Sequence, residues 1–100
     1  MARPTKWRKI ENIPIVPCFI PADKNMRGIP ENRLKLEELE AIRLKDLEGL
    51  DQGECAEKME ISRPTFQRIL AAAREKIADS LVNGKPIRIG GGNFTRIFAR

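Results

Sequence analysis

The spacing of apolar residues predicts three helices in the middle of the chain. The first covers about residues 35–48, and Gly49 after it suits a C-terminal cap, because glycine adopts left-handed dihedrals without penalty. Arg43 interrupts the apolar side of this helix. That side otherwise consists of Leu36, Leu39, Ile42 and Leu47.

The second helix is short and begins almost at once. Asp51 can accept hydrogen bonds from the free amides of the first turn, and Glu54, three residues later, completes a capping box. We therefore expect a helix over about residues 52–59. Its small buried face is Cys55, Ala56 and Met59.

The third helix has the strongest signals. Ser62 is a good N-cap, Pro64 falls in the first turn where a missing amide hydrogen costs nothing, and Asn83-Gly84 ends the helix. Its apolar residues recur at the spacing of a single helix face. They are Phe66, Ile69, Leu70, Ala73, Ile77 and Leu81.

The two flanks are less regular. Five prolines in residues 1–30 indicate an extended basic arm, with at most a short edge strand within residues 13–20. Alternating apolar and basic residues around a glycine-rich turn predict a β-hairpin in residues 85–100, which a strand of the arm can join. We predict a mainly α, tri-helical helix-turn-helix domain over residues 31–84, between this arm and hairpin.

The second and third helices are the functional unit of this prediction. A short helix, a tight turn and a longer helix with a polar first turn are typical of a helix-turn-helix, which places the start of its second helix in the major groove of DNA. Arginine can contact guanine and glutamine can contact adenine through two hydrogen bonds each. The predicted DNA-binding residues are Ser62, Arg63, Thr65, Gln67, Arg68 and Arg74.

Charge along the chain supports this hypothesis. Residues 31–60 hold five basic and ten acidic side chains, whereas residues 61–100 hold eight basic and two acidic ones. Such polarity can give the fold one positive face. The alternatives are that the basic helix side is a solvated surface and that the triple alanine Ala71–Ala73 reflects helix propensity alone.

The basic start of the chain has two interpretations of equal weight. It is either a minor-groove arm, since arginine is attracted to the negative potential there, or a solvated tail. The hairpin likewise is either a wing that touches phosphate or a strand that pairs with a second copy. The arm residues concerned are Arg3, Lys6, Arg8 and Lys9.

Composition argues against catalysis. The chain has no histidine, and Cys18 and Cys55 lie far apart without metal-ligand spacing, so neither a zinc site nor a nucleophilic triad is expected. The run Gly90–Gly92 lacks the lysine and the following helix of a phosphate-binding loop. We expect no enzyme, metal or cofactor, and a cytoplasmic protein without a membrane span.

The stretch "LKDLEGLDQGECAEKMEISRPTFQRILAAAREKIADSLVNGK" resembles a small uncharacterised prokaryotic family of predicted DNA-binding proteins. The resemblance extends to "ARPTKWRKI" and "IRIGGGNF" and so covers nearly the whole chain. Residues 46–77 are similar to the helix-turn-helix of sigma factor region four. This implies a transcription-linked role in which residues 52–59 support the reading helix. The residues that would read DNA by this likeness are Arg63, Thr65, Gln67 and Arg68.

The chain departs from these patterns in a few places. Glu60 occupies a turn position often filled by glycine, which predicts a strained or differently shaped turn, and Ser80 stands where alanine is expected. Some relatives carry several N-terminal cysteines, but no such cluster occurs here, so a metal role is not supported. The leading hypothesis is a dimeric regulator that binds double-stranded DNA. The alternative is a protein-interaction module that docks on RNA polymerase through the acidic residues 37–60.

Overall fold

The computed structural model describes residues 8–11, 17–22, 28–91 and 94–96, and it is mainly helical. Three helices form the body, and short strands before and after them form two small sheets. The elements in chain order are β1 (Arg8–Ile10), β2 (Cys18–Phe19), β3 (Asn32–Leu34), α1 (Leu36–Ile42), a π-helical turn (Arg43–Leu47), α2 (Gln52–Met59), α3 (Arg63–Asn83), β4 (Ile87–Ile89) and β5 (Phe94–Arg96).

The two C-terminal strands do not form the predicted hairpin. β4 is the central strand of a three-stranded sheet, antiparallel to β2 and parallel to β3, while β5 pairs in parallel with β1. Both edges of β4 are therefore paired with strands that precede α1, namely β2 and β3. β5 pairs with β1 in the other sheet. The expectation that the N-terminal region supplies a strand is confirmed, and β2 is an edge strand.

The first helix differs from its predicted form at its C-terminal end. After Ile42 it continues as a π-helical turn, in which the amide of Glu48 bonds to the carbonyl of Arg43 five residues earlier. The wider turn changes which side chains face inward. Leu44 is buried, whereas Leu47, expected on the apolar side, is 77% exposed. Gly49 then reverses the chain with a φ of 77°.

The predicted caps of the next two helices are confirmed. Asp51 Oδ1 accepts a 2.8 Å hydrogen bond from the amide of Glu54, and Ser62 Oγ accepts one of 3.3 Å from the amide of Thr65. α3 ends at Gly84, which has a φ of 66°. These bonds satisfy amides that helix geometry leaves without an internal partner, and they fix where α2 and α3 begin.

The main core lies where α1, α2 and α3 meet, and Phe66 is its largest fully buried side chain. One correction applies to the predicted α3 face: Leu81 is 78% exposed and Ser80 is buried. The helical spacing of three or four residues places the inward position after Ile77 at Ser80. Asn32 Nδ2 donates a hydrogen bond to the hydroxyl of this serine. The core cluster is Ala41, Leu44, Cys55, Ala56, Met59, Phe66, Ile69 and Leu70.

A second apolar cluster attaches the three-stranded sheet to the C-terminal half of α3. Leu34 of β3 and Ile89 of β4 pack with Ala73 of the helix. Asn32 reinforces this contact, because its side-chain amide also donates to the carbonyl of Lys76 and the carboxylate of Asp79. The sheet thus packs against the C-terminal half of α3. The outer side of the N-terminal half remains exposed.

Candidate nucleic-acid interface

The outer side of the first half of α3 carries most of the predicted contact residues. Arg63, Gln67 and Arg68 are exposed, as is the N-cap Ser62, and Thr65 is half-buried between them. Phe66, Ile69 and Leu70 on the opposite side are in the core. The helix therefore presents a polar and basic surface to solvent while its apolar side is held by α1 and α2.

Three of these side chains form a hydrogen-bonded chain. Ser62 Oγ donates to Thr65 Oγ1 at 2.9 Å, and Arg68 Nη2 donates to the same oxygen at 3.3 Å. The guanidinium of Arg68 is thereby drawn toward the start of α3. A surface whose side chains are already oriented loses less conformational entropy on binding.

The structure adds one polar residue, Gln52, to this surface. Gln67 Nε2 donates a 2.7 Å hydrogen bond to Oε1 of Gln52, the first residue of α2. Gln52 lies in the segment expected to support the reading helix, but nothing in the sequence indicated this particular pair. The two helix starts are thus joined by an exposed side-chain contact at the proposed reading surface.

Arg74 has a different environment from the other predicted contact residues. Its Nε lies 3.1 Å from Asp46 Oδ2, and its Nη2 bonds to the other carboxylate oxygen, so the pair is bidentate. The hydrogen bonds to Arg74 lower the pKa of Asp46, and the same contact raises the pKa of Arg74. Arg74 therefore joins α3 to the π-helical turn.

The predicted basic arm is only partly within the described residues. Arg3 and Lys6 lie outside them. Arg8 and Lys9 lie in β1, where Arg8 Nε is 3.7 Å from Glu37 and Lys9 forms an ion pair with Glu60. These two residues therefore belong to a strand held against the helical body, and their role as part of a minor-groove arm stays a prediction.

Ion pairs also change the charge distribution that the sequence suggested. Three basic residues after residue 75 face carboxylates: Lys76 pairs with Glu38, Lys85 with Asp79, and Arg88 with Glu31. By contrast, five of the cations whose side chains the structure describes form no ion pair with another described residue. They all lie between positions 35 and 68, and they are Lys35, Lys45, Lys58, Arg63 and Arg68.

The described residues contain no group of three or more His, Cys, Asp or Glu side chains that could hold a metal ion. Cys18 and Cys55 are both free thiols, and burial raises the pKa of Cys55. Among the described helices, none has the length and apolar character that crossing a membrane requires.

The fold and this surface define a small helical protein with an oriented, basic helix side facing solvent. Residues 1–97 match the family described as "Protein of unknown function DUF134", and the chain belongs to that family. No solved structure matches the chain.

Three relatives named UPF0251 proteins align with nearly the whole chain. A UPF0251 protein of Halothermothrix orenii is 60% identical over 94 residues, which are 94% of this chain and 70% of the relative. One of Clostridium acetobutylicum is 55% identical over 100 residues, covering all of this chain and 70% of the relative. One of Caldanaerobacter subterraneus subsp. tengcongensis is 57% identical over 94 residues, 94% of this chain and 80% of the relative.

Proposed function

We propose that the protein is a non-enzymatic, sequence-specific DNA-binding protein that regulates transcription. In this proposal α2 and α3 act as a helix-turn-helix, and α3 enters the major groove with its first turns. The observation that carries the proposal is the exposure of Arg63 and Gln67 on the first turns of a helix whose other side is fixed in the core. Arginine and glutamine are the side chains that contact guanine and adenine through paired hydrogen bonds.

The charge distribution supports the same surface. Cations without an ion pair among the described residues include Arg63 and Arg68 on α3 and Lys58 at the end of α2. Phosphate contacts by such residues release counterions, so we expect affinity to fall steeply with salt. In this proposal Arg74 stabilises the contact between α3 and the π-helical turn and does not contact DNA, because its guanidinium already binds Asp46.

The interaction-module alternative depends on acidic side chains that a partner can reach. Glu37, Glu38 and Glu40 are buried, and Glu60 is paired with Lys9. Part of the acidic segment is thus used within the fold, although Glu54 and Glu57 remain exposed. We prefer the DNA-binding hypothesis because Arg63 and Gln67 are exposed. Binding to RNA polymerase together with the absence of any DNA shift at low salt would reverse this preference.

The proposal includes a homodimer. Leu81 and Val82 at the end of α3 are exposed, and Leu81 lines a shallow apolar groove with Phe19 and Ile20. Exposed apolar patches on soluble proteins often mark interfaces. Sedimentation of the wild type and of Leu81→Gln tests this, and a palindromic binding site would agree with a two-fold dimer.

Selection of binding sites from random duplexes is the primary test. With the selected duplex, we expect Arg63→Ala to weaken specific binding about 5- to 100-fold, the range for the loss of a bidentate base contact, and to weaken random-duplex binding much less. Arg33→Ala removes an exposed arginine from β3 and serves as the control. An unchanged ratio of specific to random affinity in Arg63→Ala and Gln67→Ala would show that α3 does not read the sequence.

A further inference from the structure

A groove lies between the start of α1 and the outer side of α3. It has a volume of about 330 Å³, and Lys35, which directly precedes α1, lines it together with Arg68 and Thr65 of α3. Lys35 and Arg68 are both exposed and come from different elements. Two cations that line one groove create a positive potential that attracts anions.

The acidic residues in the wall of this groove are already neutralised. Glu38 accepts 2.8 Å hydrogen bonds from Lys76 Nζ and from the amide of Lys35, and Glu37 lies 3.7 Å from Arg8. Both carboxylates are buried. The side chains of Lys35 and Arg68 form no ion pair with any described residue, so their positive charge remains available.

We propose that this groove holds one phosphodiester group of the bound DNA, between the ammonium of Lys35 and the guanidinium of Arg68. This inference rests on the proposed DNA-binding function, and it separates the residues that contact the DNA backbone from those that contact bases. Arg68 then positions the helix on the backbone, and base discrimination belongs to Arg63 and Gln67. The hydrogen bond from Arg68 to Thr65 fits this role, because it holds the guanidinium beside the groove and leaves other N–H groups free to bind phosphate oxygens.

Lys35→Gln tests the groove by removing one charge without changing the backbone amide that caps α1. Each phosphate contact contributes about 0.9 to the slope of log affinity against log salt. We expect the variant to lose about that much slope and to bind both selected and random duplexes roughly 5- to 10-fold more weakly at about 0.1 M salt. Lys85→Gln is the matched control, since Lys85 follows the far end of α3.

Substitution of Arg68 separates a phosphate contact from a base contact. Arg68→Lys keeps a point charge for phosphate but lacks the planar fork that pairs with guanine. We expect it to keep the wild-type salt slope and the ratio of selected to random affinity. A collapse of that ratio would make Arg68 a base-reading residue and overturn the assignment.

The remaining outcomes distinguish the groove from the proposed function. If the wild type binds DNA but Lys35→Gln has the slope of Lys85→Gln, the groove assignment fails and DNA binding stands. If the wild type binds no duplex even at low salt, both fail. Inorganic phosphate added at constant ionic strength is a further arm: if Lys35→Gln abolishes phosphate binding but leaves duplex affinity unchanged, the groove belongs to a free anion instead of DNA.

Discussion

The side chain of Gln67 donates a 2.7 Å hydrogen bond to Oε1 of Gln52, which joins the first residue of α2 to the exposed side of α3. The bond uses one of the two N–H groups of Gln67. The other N–H and the carbonyl oxygen remain available, and these are the two atoms that a glutamine needs for a paired contact with adenine. Gln52 therefore orients the side chain of Gln67, and under the proposed function it sets how Gln67 would meet a base.

We predict that Gln52→Leu lowers affinity for the selected duplex about fivefold, because an orienting hydrogen bond of this kind contributes about 1 kcal/mol. Random-duplex affinity should not change. A double-mutant cycle with Gln67→Ala measures the coupling: in the Gln67→Ala background, Gln52→Leu should have no further effect. Additive losses would mean that the two glutamines act independently.

Glu60 has a φ of 55°, in the left-handed region that favours glycine. Its side chain pairs with Lys9, but both are exposed and such a pair contributes little. We predict that Glu60→Gly has a free energy of unfolding about 1 kcal/mol above that of Glu60→Ala, which loses the same ion pair but keeps a Cβ. Chemical denaturation of the two variants measures this difference. Equal stabilities would indicate that the turn stores no backbone strain.

The features that were predictable from sequence depend on neighbouring residues. The caps at Asp51 and Ser62 and the end of α3 at Gly84 follow from hydrogen bonds and dihedral preferences over three or four positions. The buried side of α3 up to Ile77 follows from helical periodicity, and the exposure of Gln67 and Arg68 follows with it.

The features that were not predictable depend on distant partners. β5 follows β4 closely in the chain, yet it pairs with β1 near the opposite end, because β2 and β3 occupy both edges of β4. Counting charges likewise suggested a basic C-terminal region, whereas Lys76 and Arg88 pair with Glu38 and Glu31, which lie 38 and 57 residues earlier in the chain. A local pattern contains no information about such pairings.

Arg43, three residues after Glu40, shows how ion pairs at the end of α1 stabilise the fold. Its Nε and Nη2 bond to the buried carboxylate of Glu40 at 2.8 and 3.0 Å, and this contact, with a further one to Glu11, raises the pKa of the arginine. We predict that Glu40→Ala lowers the free energy of unfolding by about 3 kcal/mol, because the guanidinium of Arg43 loses its buried partner and keeps only the exposed carboxylates of Glu11 and Glu48. Glu48→Ala, which removes an exposed carboxylate 3.7 Å from the same guanidinium, should cost less than about 1 kcal/mol. Urea denaturation compares them, and equal losses would contradict the prediction.

Asp79 makes the attachment of the C-terminal segment to α3 dependent on pH. Its carboxylate accepts hydrogen bonds from Asn32 Nδ2, Lys85 Nζ and Asn83 Nδ2, at 3.0, 2.9 and 2.7 Å, and these hold its pKa at about 2. In the unfolded chain the pKa of an aspartate is about 3.9. The folded state therefore binds this proton less readily, and the resulting stabilisation is complete above the unfolded value and is lost as the pH falls toward 2.

We predict that the difference in free energy of unfolding between the wild type and Asp79→Asn is constant between about pH 7 and pH 5. It should then shrink between about pH 4 and pH 2, the interval that separates the unfolded and folded pKa values. Urea denaturation at each pH measures the difference, and the other carboxylates cancel because both proteins contain them. A difference that stayed constant down to pH 2 would show that the three donors do not favour the ionised carboxylate.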